Sequence, residues 1–286
     1  MKKILKILYK YVIKLLPAKI ATVIHYSLVY KRLPKLGNPT FFSEKMQAIK
    51  LSKPRYIDIL CSDKIESKAF LESIGLKQYT IPNIAVIDNL HEISLDESKY
   101  PVILKVSNGT SQHVIIHDPS ELDKNIEILK KMMNFKHYIF TKEFIYGFSK
   151  RRIIIEPFLS SNSFGLDDYK IHCFNGDPLF IQLNKNSSND RSRVMLNKDL
   201  NQINYPFASG SESIWIPKNQ KEISKMIEIS KIIARLFKFI RVDFYIVNNE
   251  IKIGELTLHP MAGFMLRNST QLDTEWGRLL NITSLK

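Results

Sequence analysis

The sequence predicts an α+β protein, with α/β lobes as the alternative, because short apolar runs of strand length alternate with helical patterns and are joined by hairpin signals. Asn175-Gly176 and Asn248-Asn249 each lie between two apolar runs, which is the pattern of an antiparallel hairpin. Asp63 followed by Glu66 marks a helix start, and Gly75 marks its end. Hairpins interspersed with capped helices indicate a protein built from lobes.

The remaining elements follow from apolar periodicity and capping signals. Helices are expected to begin at Asp63, Asp118 and Asn219, and strands are expected over Ile84–Ile87, Val102–Val106, Val114–Ile116, Arg152–Phe158, Tyr169–Phe174, Leu179–Leu183, Val242–Val247 and Ile251–Leu256. Arg32–Pro39 is a loop by its Pro, Gly and Asn content. We therefore expect four parts: a basic helical segment (1–37), an N-terminal lobe (38–100), a central lobe (101–160) and a C-terminal lobe (161–286).

The amino-acid composition and net charge limit the kinds of binding partner that we expect. The chain has 286 residues, 44% of them hydrophobic, and a formal net charge of +14. That charge favours an anionic partner such as nucleotide phosphates, an acidic polymer or a membrane surface, although a solvated Lys-rich surface explains it equally well. RNA-binding aromatic signatures are absent, so we expect no nucleic acid partner. Two cysteines, Cys61 and Cys173, cannot form a disulfide framework or a zinc site and indicate a reducing, cytoplasmic location.

The N-terminal segment Met1–Ile20 has the periodicity of a basic amphipathic helix. Its apolar stripe consists of Ile4, Leu5, Leu8, Tyr11, Val12, Leu15 and Leu16, with lysines mostly off the stripe. The apolar stretches are interrupted by lysines, so neither a transmembrane helix nor a signal peptide is expected. Such a helix either lies peripherally on the anionic inner face of a membrane or packs on the protein, and both interpretations stay open.

A strand pair near the C-terminus carries acidic residues in an apolar context. Asp243 follows Arg241 on one strand, and Glu255 and Thr257 lie on the next. Two carboxylates and a hydroxyl are hard oxygen ligands that suit Mg²⁺. Arg241 is placed to stabilise a transferring phosphoryl group, a catalytic role. The alternative is an ordinary Arg–Asp pair at the surface.

Hairpin register tests the metal hypothesis. A two-residue turn at Asn248-Asn249 would pair Val247 with Glu250 and make Asp243 face away from Glu255. A three-residue loop, Asn248–Glu250, would place Asp243 directly opposite Glu255, with their Cβ atoms about 5 Å apart. We therefore expect the three-residue loop, with an Asn in the left-handed conformation.

Three further clusters have the chemistry of a nucleotide site. Lys105 ends an apolar strand and precedes a small polar loop whose backbone can approach phosphates; the loop residues are Asn108, Gly109, Thr110 and Ser111. Glu156 is a carboxylate at the end of an apolar strand. Asp168 can hold ribose hydroxyls and Lys170 can reach phosphates or an acidic substrate. Solvent-facing lysines, simple ion pairs and edge-strand charges are the alternatives.

In order and spacing these clusters resemble the ATP-grasp superfamily, and most closely its TupA-like members, from about Pro39 to Leu280. The motifs are Asn38-Pro-Thr-Phe-Phe-Ser-Glu-Lys45, Asp63-Lys64, Ile103-Leu-Lys105, Ile154-Ile-Glu156, Asp168-Tyr-Lys-Ile-His-Cys-Phe-Asn-Gly176, Arg241-Val-Asp-Phe-Tyr245 and Gly254-Glu-Leu-Thr257 through Pro260 and Gly263. The resemblance implies an ATP-grasp fold in which two antiparallel-sheet lobes clasp ATP.

The resemblance also implies roles for individual residues. They are Lys64 and Lys105 for the ATP phosphates, Glu156 for the adenine side, Asp168 for the ribose, Asp243 and Glu255 for Mg²⁺, and Arg241 for the phosphoryl group. Ligases of the D-alanine–D-alanine type usually have Asn at the position of Thr257, so the second metal position departs from the pattern.

The implied activity is an ATP- and Mg²⁺-dependent carboxylate–amine ligase that forms an acylphosphate. TupA-like proteins are associated with teichuronopeptide or capsular polymer synthesis, which implies an amino acid or amine and an acidic, lipid-linked or free glycan as substrates. The alternatives are an ATP-grasp kinase, a basic binding protein, or a glycosyltransferase of the same pathway, although the Asp-x-Asp motif common in glycosyltransferases is absent. Substrate-gripping residues are expected in or near the loops Thr141–Lys150 and Asn184–Arg193; the candidates are Lys142, Arg151, Arg152, Arg191, Arg193 and Arg267.

Overall fold

The computed structural model describes residues 11–160, 166–185, 192–203 and 219–283. The chain divides into two compact units. Unit 1 comprises the residues up to Ile59, Lys136–Phe148 and those from His259 onward, and unit 2 comprises Leu60–Phe135 and Ser149–Leu258. The division into four parts made from the sequence stays a prediction. Across the described residues, each helix is too short or too polar to cross a membrane.

Besides the helical residues 11–15, the described part contains eight α-helices and ten strands, joined by short 3₁₀ turns. The helices are α1 (Ala18–Tyr30), α2 (Phe42–Leu51), α3 (Tyr56–Ser62), α4 (Lys64–Ser73), α5 (Glu121–Asn134), α6 (Tyr138–Thr141), α7 (Gln220–Ala234) and α8 (Thr270–Leu279). The strands are β1 (Ala85–Ile87), β2 (Val102–Val106), β3 (His113–Ile116), β4 (Ile153–Pro157), β5 (Asp168–Phe174), β6 (Asp177–Asn184), β7 (Arg193–Asn197), β8 (Gln202–Ile203), β9 (Phe239–Val247) and β10 (Glu250–Thr257).

Unit 1 is helical in its described part. Phe42 of α2 and Trp276 of α8 are fully buried and meet edge to face, with ring centroids 5.4 Å apart. Asp273 is also buried, and it accepts hydrogen bonds from the Ser43 amide at 2.7 Å and from Arg32 at 2.5 Å. A buried carboxylate with these donors satisfies the amino end of α2, so this contact joins segments far apart in the sequence.

Unit 2 contains a four-stranded antiparallel sheet in the order β1-β4-β2-β3. Along β2, Val102, Leu104 and Val106 alternate onto an apolar face that packs against Leu129 of α5. The opposite face of the same strand carries Lys105. The strand pattern therefore separates an apolar core from a charged surface on one sheet.

The second sheet of unit 2 has six strands in the order β10-β9-β5-β6-β7-β8, all antiparallel. Helix α7 packs against β5, β6 and β9, and its buried residues Ile223, Met226 and Ile233 form the apolar layer. The other face presents the polar residues of these strands. Two antiparallel sheets with helices confirm the predicted α+β class.

The capping signals at Asp63 and Gly75 and the turn signal at Asn175-Gly176 were accurate. Asp63 caps α4 by accepting a hydrogen bond from the Ile65 amide at 2.8 Å, and Gly75 ends this segment with φ +78°. At Asn175-Gly176, both residues have positive φ and Phe174 pairs with Asp177. The Asn-Gly hairpin is thus confirmed.

The three-residue loop predicted between β9 and β10 was wrong. Asn248 and Asn249 form a two-residue turn with φ 51° and 64°, and Val247 pairs with Glu250. A bulge between Ile253 and Glu255 then shifts the register by one residue, so that Asp243 still lies opposite Glu255. The opposition of the two carboxylates is confirmed, but a bulge at residue 254 produces it rather than the turn.

Gly254 suits the bulge because a side chain there would collide with a neighbour. A Cβ at residue 254 would lie 2.3 Å from Cε2 of Tyr245. Glycine therefore lets the Tyr245 ring lie over the bulged backbone.

Candidate functional site

One face of the six-stranded sheet gathers charged side chains. Register pairs Lys170 with Asp243 and His172 with Arg241, and paired residues point to the same side of a sheet. Across the bulged hairpin, Asp243 pairs with Glu255 and Arg241 with Thr257. The pleat thus brings the predicted phosphoryl and metal residues onto one surface.

Asp243 lies at the centre of this surface and is almost fully buried. Its carboxylate accepts two hydrogen bonds from Arg241, at 2.6 and 2.7 Å, and one from Lys170 Nζ at 2.8 Å. Burial alone would raise the pKa of Asp243, but Arg241 and Lys170 outweigh it and hold the pKa below its ordinary value. Asp243 is therefore ionised, and the alternative of a surface Arg–Asp pair does not hold.

Arg241 bridges the two strands of the hairpin. Besides Asp243, its guanidinium donates a hydrogen bond to Thr257 Oγ1 at 3.1 Å. Thr257 thus contributes a hydroxyl oxygen to the cluster. Burial would lower the pKa of Arg241, but Asp243 raises it above its ordinary value, so the guanidinium keeps its charge.

Asp168 extends the cluster along β5. Its carboxylate contacts Lys170 and accepts a hydrogen bond from Asn184 Nδ2 at 3.3 Å. Burial and then the charge of Asp243 raise the pKa of Asp168. Among the residues that the structure describes, no donor reaches the buried Oδ1 of Asp168. That oxygen is an acceptor available to a ligand hydroxyl.

Glu255 is the more open of the two opposed carboxylates. Its side chain is 41% exposed, and Lys64 Nζ lies 3.4 Å from Oε1. Lys64 also donates a hydrogen bond to the Gly109 carbonyl at 2.8 Å. The lysine therefore connects the metal-candidate strand β10 to the polar loop that follows β2.

The loop after β2 is partly buried. Asn108 and Gly109 are buried, whereas Thr110 and Ser111 face solvent. Asn108 Nδ2 donates to the Ser149 carbonyl at 3.0 Å, and Ser111 has a positive φ of 53°. A tight loop of this kind, with a lysine against it, is suited to phosphate oxygens.

On the four-stranded sheet, Glu156 holds two lysines. It accepts a hydrogen bond from Lys105 Nζ at 2.6 Å and contacts Lys68 Nζ. Burial would raise the pKa of Glu156, but Lys105 and Lys68 lower it below its ordinary value. Glu156 thus forms the ion pairs that the alternative interpretation expects. Its role on the adenine side stays a prediction.

Three members of these clusters were not predicted from the sequence. Lys68 lies four residues after Lys64, so helical spacing places both on one face of α4. His172 and Tyr245 lie two residues after Lys170 and Asp243, so strand alternation places them on the charged face. Burial and then Arg241 lower the pKa of His172 to about 3, so it is neutral, and burial followed by nearby carboxylates raises the pKa of Tyr245.

Four of the six proposed substrate-gripping residues make other contacts within the protein. Lys142 donates to the Leu16 carbonyl at 3.1 Å, and Arg151 donates to the Met132 carbonyl at 3.0 Å. Arg152 pairs with Glu66 at 2.7 Å, and Arg193 donates to Asn184 Oδ1 at 3.0 Å. Arg267 is exposed, and Arg191 lies outside the described residues. Contacts within the protein therefore account for these four side chains without a substrate.

The oxygens of Asp243, Glu255 and Thr257 fit a Mg²⁺ ion that takes its other ligands from phosphate and water. Within the described ranges, no group of three or more His, Cys, Asp or Glu residues could hold a metal. Mg²⁺ in nucleotide sites is commonly held by one or two carboxylates plus phosphate oxygens, so a two-carboxylate site matches that chemistry.

Comparison with known proteins identifies a family and several similar folds. The TupA-like ATPgrasp family profile matches residues 44–281. Similar solved structures include D-alanine–D-alanine ligase from Bacillus anthracis complexed with ATP (17% identity, 77% of this chain and 61% of that chain, TM-score 0.47). L-amino acid ligase from Bacillus licheniformis has 14% identity over 84% of this chain and 55% of that chain, with TM-score 0.48.

A third similar structure is N5-carboxyaminoimidazole synthetase from Staphylococcus aureus, with 14% identity over 69% of this chain and 44% of that chain and TM-score 0.43. The chain spans about half the length of these solved structures. No curated protein matches the chain significantly. The family match covers most of the chain, from the third residue of α2 to just past the end of α8. The chain belongs to the TupA-like ATP-grasp family, the family that its motifs resemble.

Proposed function

We propose that the chain is an ATP-dependent carboxylate–amine ligase that binds Mg–ATP on the charged face of unit 2. The observation that carries the proposal is the opposition of Asp243 and Glu255 across a bulged hairpin, with Arg241, Lys170 and Lys64 around them. ATP and Mg²⁺ are the cofactors that accompany membership of this family.

The charge balance of the cluster supports nucleotide binding. Asp243 and Glu255 are held by cationic side chains, and Glu156 is held by Lys105 and Lys68. In the pairs of Asp243 and Glu255, the carboxylate suits a metal and the cation suits a phosphate; in the pairs of Glu156, the lysines suit phosphate oxygens. Binding of Mg–ATP would let the carboxylates exchange ammonium partners for the metal while the lysines take phosphate oxygens, so buried charge stays compensated.

The chain's own residues have distinct tasks in this scheme. Asp168, through its available oxygen, holds the ribose, and Glu156 faces the adenine side. Arg241 and Lys170 are oriented by Asp243 and stabilise charge on the transferred phosphoryl group. When bound, Mg²⁺ would neutralise charge on the phosphate oxygens. Thr257 keeps Arg241 in place through its hydroxyl.

For the reaction, we propose that a substrate carboxylate attacks the γ-phosphorus, releases ADP and becomes an acylphosphate. An amine then attacks the acyl carbon and releases phosphate, so one amide forms for each ATP consumed. The resemblance supports a uronic-acid-containing surface glycan, free or lipid-linked, and an amino acid or amine as the two substrates. The net charge of +14 suits an acidic glycan.

The test is a screen for ADP and phosphate release with amino acids and uronic-acid oligosaccharides, supplied singly and together. A ligase releases stoichiometric ADP and phosphate only when the carboxylate and the amine are both present, and mass spectrometry finds an amide product. Phosphorylated glycan with ADP release and no amine requirement would instead establish a kinase. Glycan extension from a nucleotide sugar without ATP would establish a glycosyltransferase.

A further inference from the structure

Helix α1 exposes apolar side chains on its outer face. Its residues Ala21, Thr22 and Tyr26 are buried in unit 1. On another face, Ile20, Ile24 and Leu28 are 49%, 37% and 52% exposed. Their spacing of four residues places them in one row along the helix, which we call the α1 outer row.

The chain just before α1 also exposes apolar side chains. Residues 11–15 are helical, and Val12 and Leu15 are 46% and 83% exposed. Within the predicted N-terminal stripe, Tyr11, Val12 and Leu15 thus face solvent, and the positions before residue 11 lie outside the described residues. Large aliphatic side chains that cluster in solvent indicate a surface that contacts something else.

The sequence around the α1 outer row is exclusively cationic. Residues 1–43 contain nine Lys or Arg residues and no Asp or Glu; they are Lys2, Lys3, Lys6, Lys10, Lys14, Lys19, Lys31, Arg32 and Lys35. Lys14, Lys19 and Lys31 are exposed, and Lys19 and Lys31 flank the row in the sequence. The first acidic residue is Glu44, which is buried and accepts a hydrogen bond from the Thr40 amide at 2.9 Å.

Exposed apolar side chains together with lysines, and without acidic residues, favour one kind of binding partner over another. A second copy of the chain would bring the same cations against each other without an acidic residue from this segment to pair with them. An anionic bilayer instead offers both an apolar interior for the aliphatic side chains and negative headgroups for the lysines. We propose that the α1 outer row and the lysines beside it bind the surface of an anionic lipid bilayer.

The proposal goes beyond the ligase activity and does not depend on it. Apolar insertion and lysine–headgroup attraction act together, so binding should require anionic lipid and should weaken with added salt. Such a surface would keep the protein on a membrane that carries a lipid-linked acceptor.

The experiment is flotation of the full-length chain with vesicles of equal parts phosphatidylglycerol and phosphatidylcholine, compared with phosphatidylcholine alone. The variant Ile20→Ser/Ile24→Ser/Leu28→Ser should lower the partition coefficient on the anionic vesicles by roughly tenfold to a hundredfold, since half-exposed aliphatic side chains lose most of their transfer free energy. Wild-type binding to pure phosphatidylcholine should be at least about tenfold weaker.

A matched variant controls for the loss of aliphatic surface. Ile128, Ile232 and Leu236 of unit 2 are 44%, 43% and 46% exposed, so Ile128→Ser/Ile232→Ser/Leu236→Ser removes the same side chains elsewhere. This variant should bind vesicles like the wild type, and circular dichroism should show all three proteins folded. Equal loss in both variants, no loss in the α1 variant, or equal binding to neutral vesicles would overturn the proposal. Concentration-dependent self-association that the α1 variant abolishes, without vesicle binding, would overturn it in favour of a second copy.

Discussion

Each unit contains a cluster of buried ionisable side chains. The two clusters have similar residue types, but the pKa values of their groups shift in opposite directions. In unit 2, Asp243 is buried with Arg241 and Lys170 in direct hydrogen bonds at 2.6–2.8 Å. The pKa of Asp243 lies below and the pKa of Lys170 above its ordinary value, because attraction outweighs burial in both groups. These charges are stable without any ligand.

In unit 1, burial outweighs attraction. Burial lowers the pKa of Lys50 to about 8 and raises the pKa of Glu143 to about 7. Lys50 Nζ donates to the carbonyls of Thr141 at 3.1 Å and Ala262 at 3.2 Å rather than to a carboxylate. His259 Nδ1 lies 3.9 Å from Glu143, beyond hydrogen-bonding distance, and burial lowers the pKa of His259 to about 3.

The two clusters differ in the groups that their lysines contact: Lys170 contacts carboxylates, whereas Lys50 contacts backbone carbonyls. Lys50 joins α6 to the turn at Pro260–Gly263, where Met261 and Ala262 have left-handed φ angles of 51° and 55°. Such conformations persist only when surrounding contacts enforce them. The unit 1 cluster therefore holds the backbone in place. In the unit 2 cluster, by contrast, a bound ligand could replace the present partners of the charged side chains.

The largest expected effect separates these two roles. Lys50→Met should lower the free energy of unfolding by about 2–4 kcal/mol. The Thr141 carbonyl would lose its donor, and the Ala262 carbonyl would keep only its hydrogen bond from Gln47. Glu143 would lose the neighbouring ammonium. The measurement is urea denaturation followed by tryptophan fluorescence. The unfolding transition should shift strongly toward lower urea concentration.

The matched substitution in unit 2 is Lys170→Met. Asp243 keeps both hydrogen bonds from Arg241, and Asp168, which also contacts Lys170, keeps the hydrogen bond from Asn184. The free energy of unfolding should therefore fall by only about 1–2 kcal/mol. ATP affinity, measured by calorimetry, should fall by about tenfold or more, since a phosphate contact is lost. Equal destabilisation by the two substitutions would show that the clusters do not differ as described.

An effect smaller than that of Lys50→Met is expected at the bulge that sets the site. Gly254→Ala places a methyl group 2.3 Å from Tyr245 Cε2, so the ring or the bulge must shift, at a cost of about 1–3 kcal/mol in stability. Gly37→Ala is the control because a Cβ there meets nothing within 4 Å. If Gly254→Ala is as stable and as active as Gly37→Ala, the bulge does not depend on glycine.

Sequence reasoning named most of the residues that the structure gathers in the charged cluster of unit 2, because strand and helix periodicity report which side chains share a face. It failed at the hairpin because two different arrangements place Asp243 opposite Glu255. One is the predicted three-residue loop, and the other is the observed two-residue Asn-Asn turn followed by a bulge. No local pattern indicated that Gly254 was the shifted residue.

The unit 1 cluster could not be predicted in this way. Lys50, Glu143 and His259 belong to three separate segments, and no periodicity connects them. Their proximity follows from tertiary packing of helices and turns. A buried lysine that caps backbone carbonyls has the same sequence signature as an exposed one.

The central claim is that Asp243 and Glu255 together hold the metal of the bound nucleotide. The direct measurement is Mn²⁺ binding by electron paramagnetic resonance, with and without ATP, in wild type and Asp243→Asn/Glu255→Gln. The control Asp177→Asn/Glu228→Gln makes the same changes at side chains of unit 2 that are 65% and 66% exposed.

Wild type and control should bind Mn²⁺ together with ATP. Asp243→Asn/Glu255→Gln should weaken that binding by about a hundredfold or more while remaining folded, because both protein carboxylate ligands are lost. Nucleotide-dependent Mn²⁺ binding by Asp243→Asn/Glu255→Gln at wild-type affinity would contradict the claim.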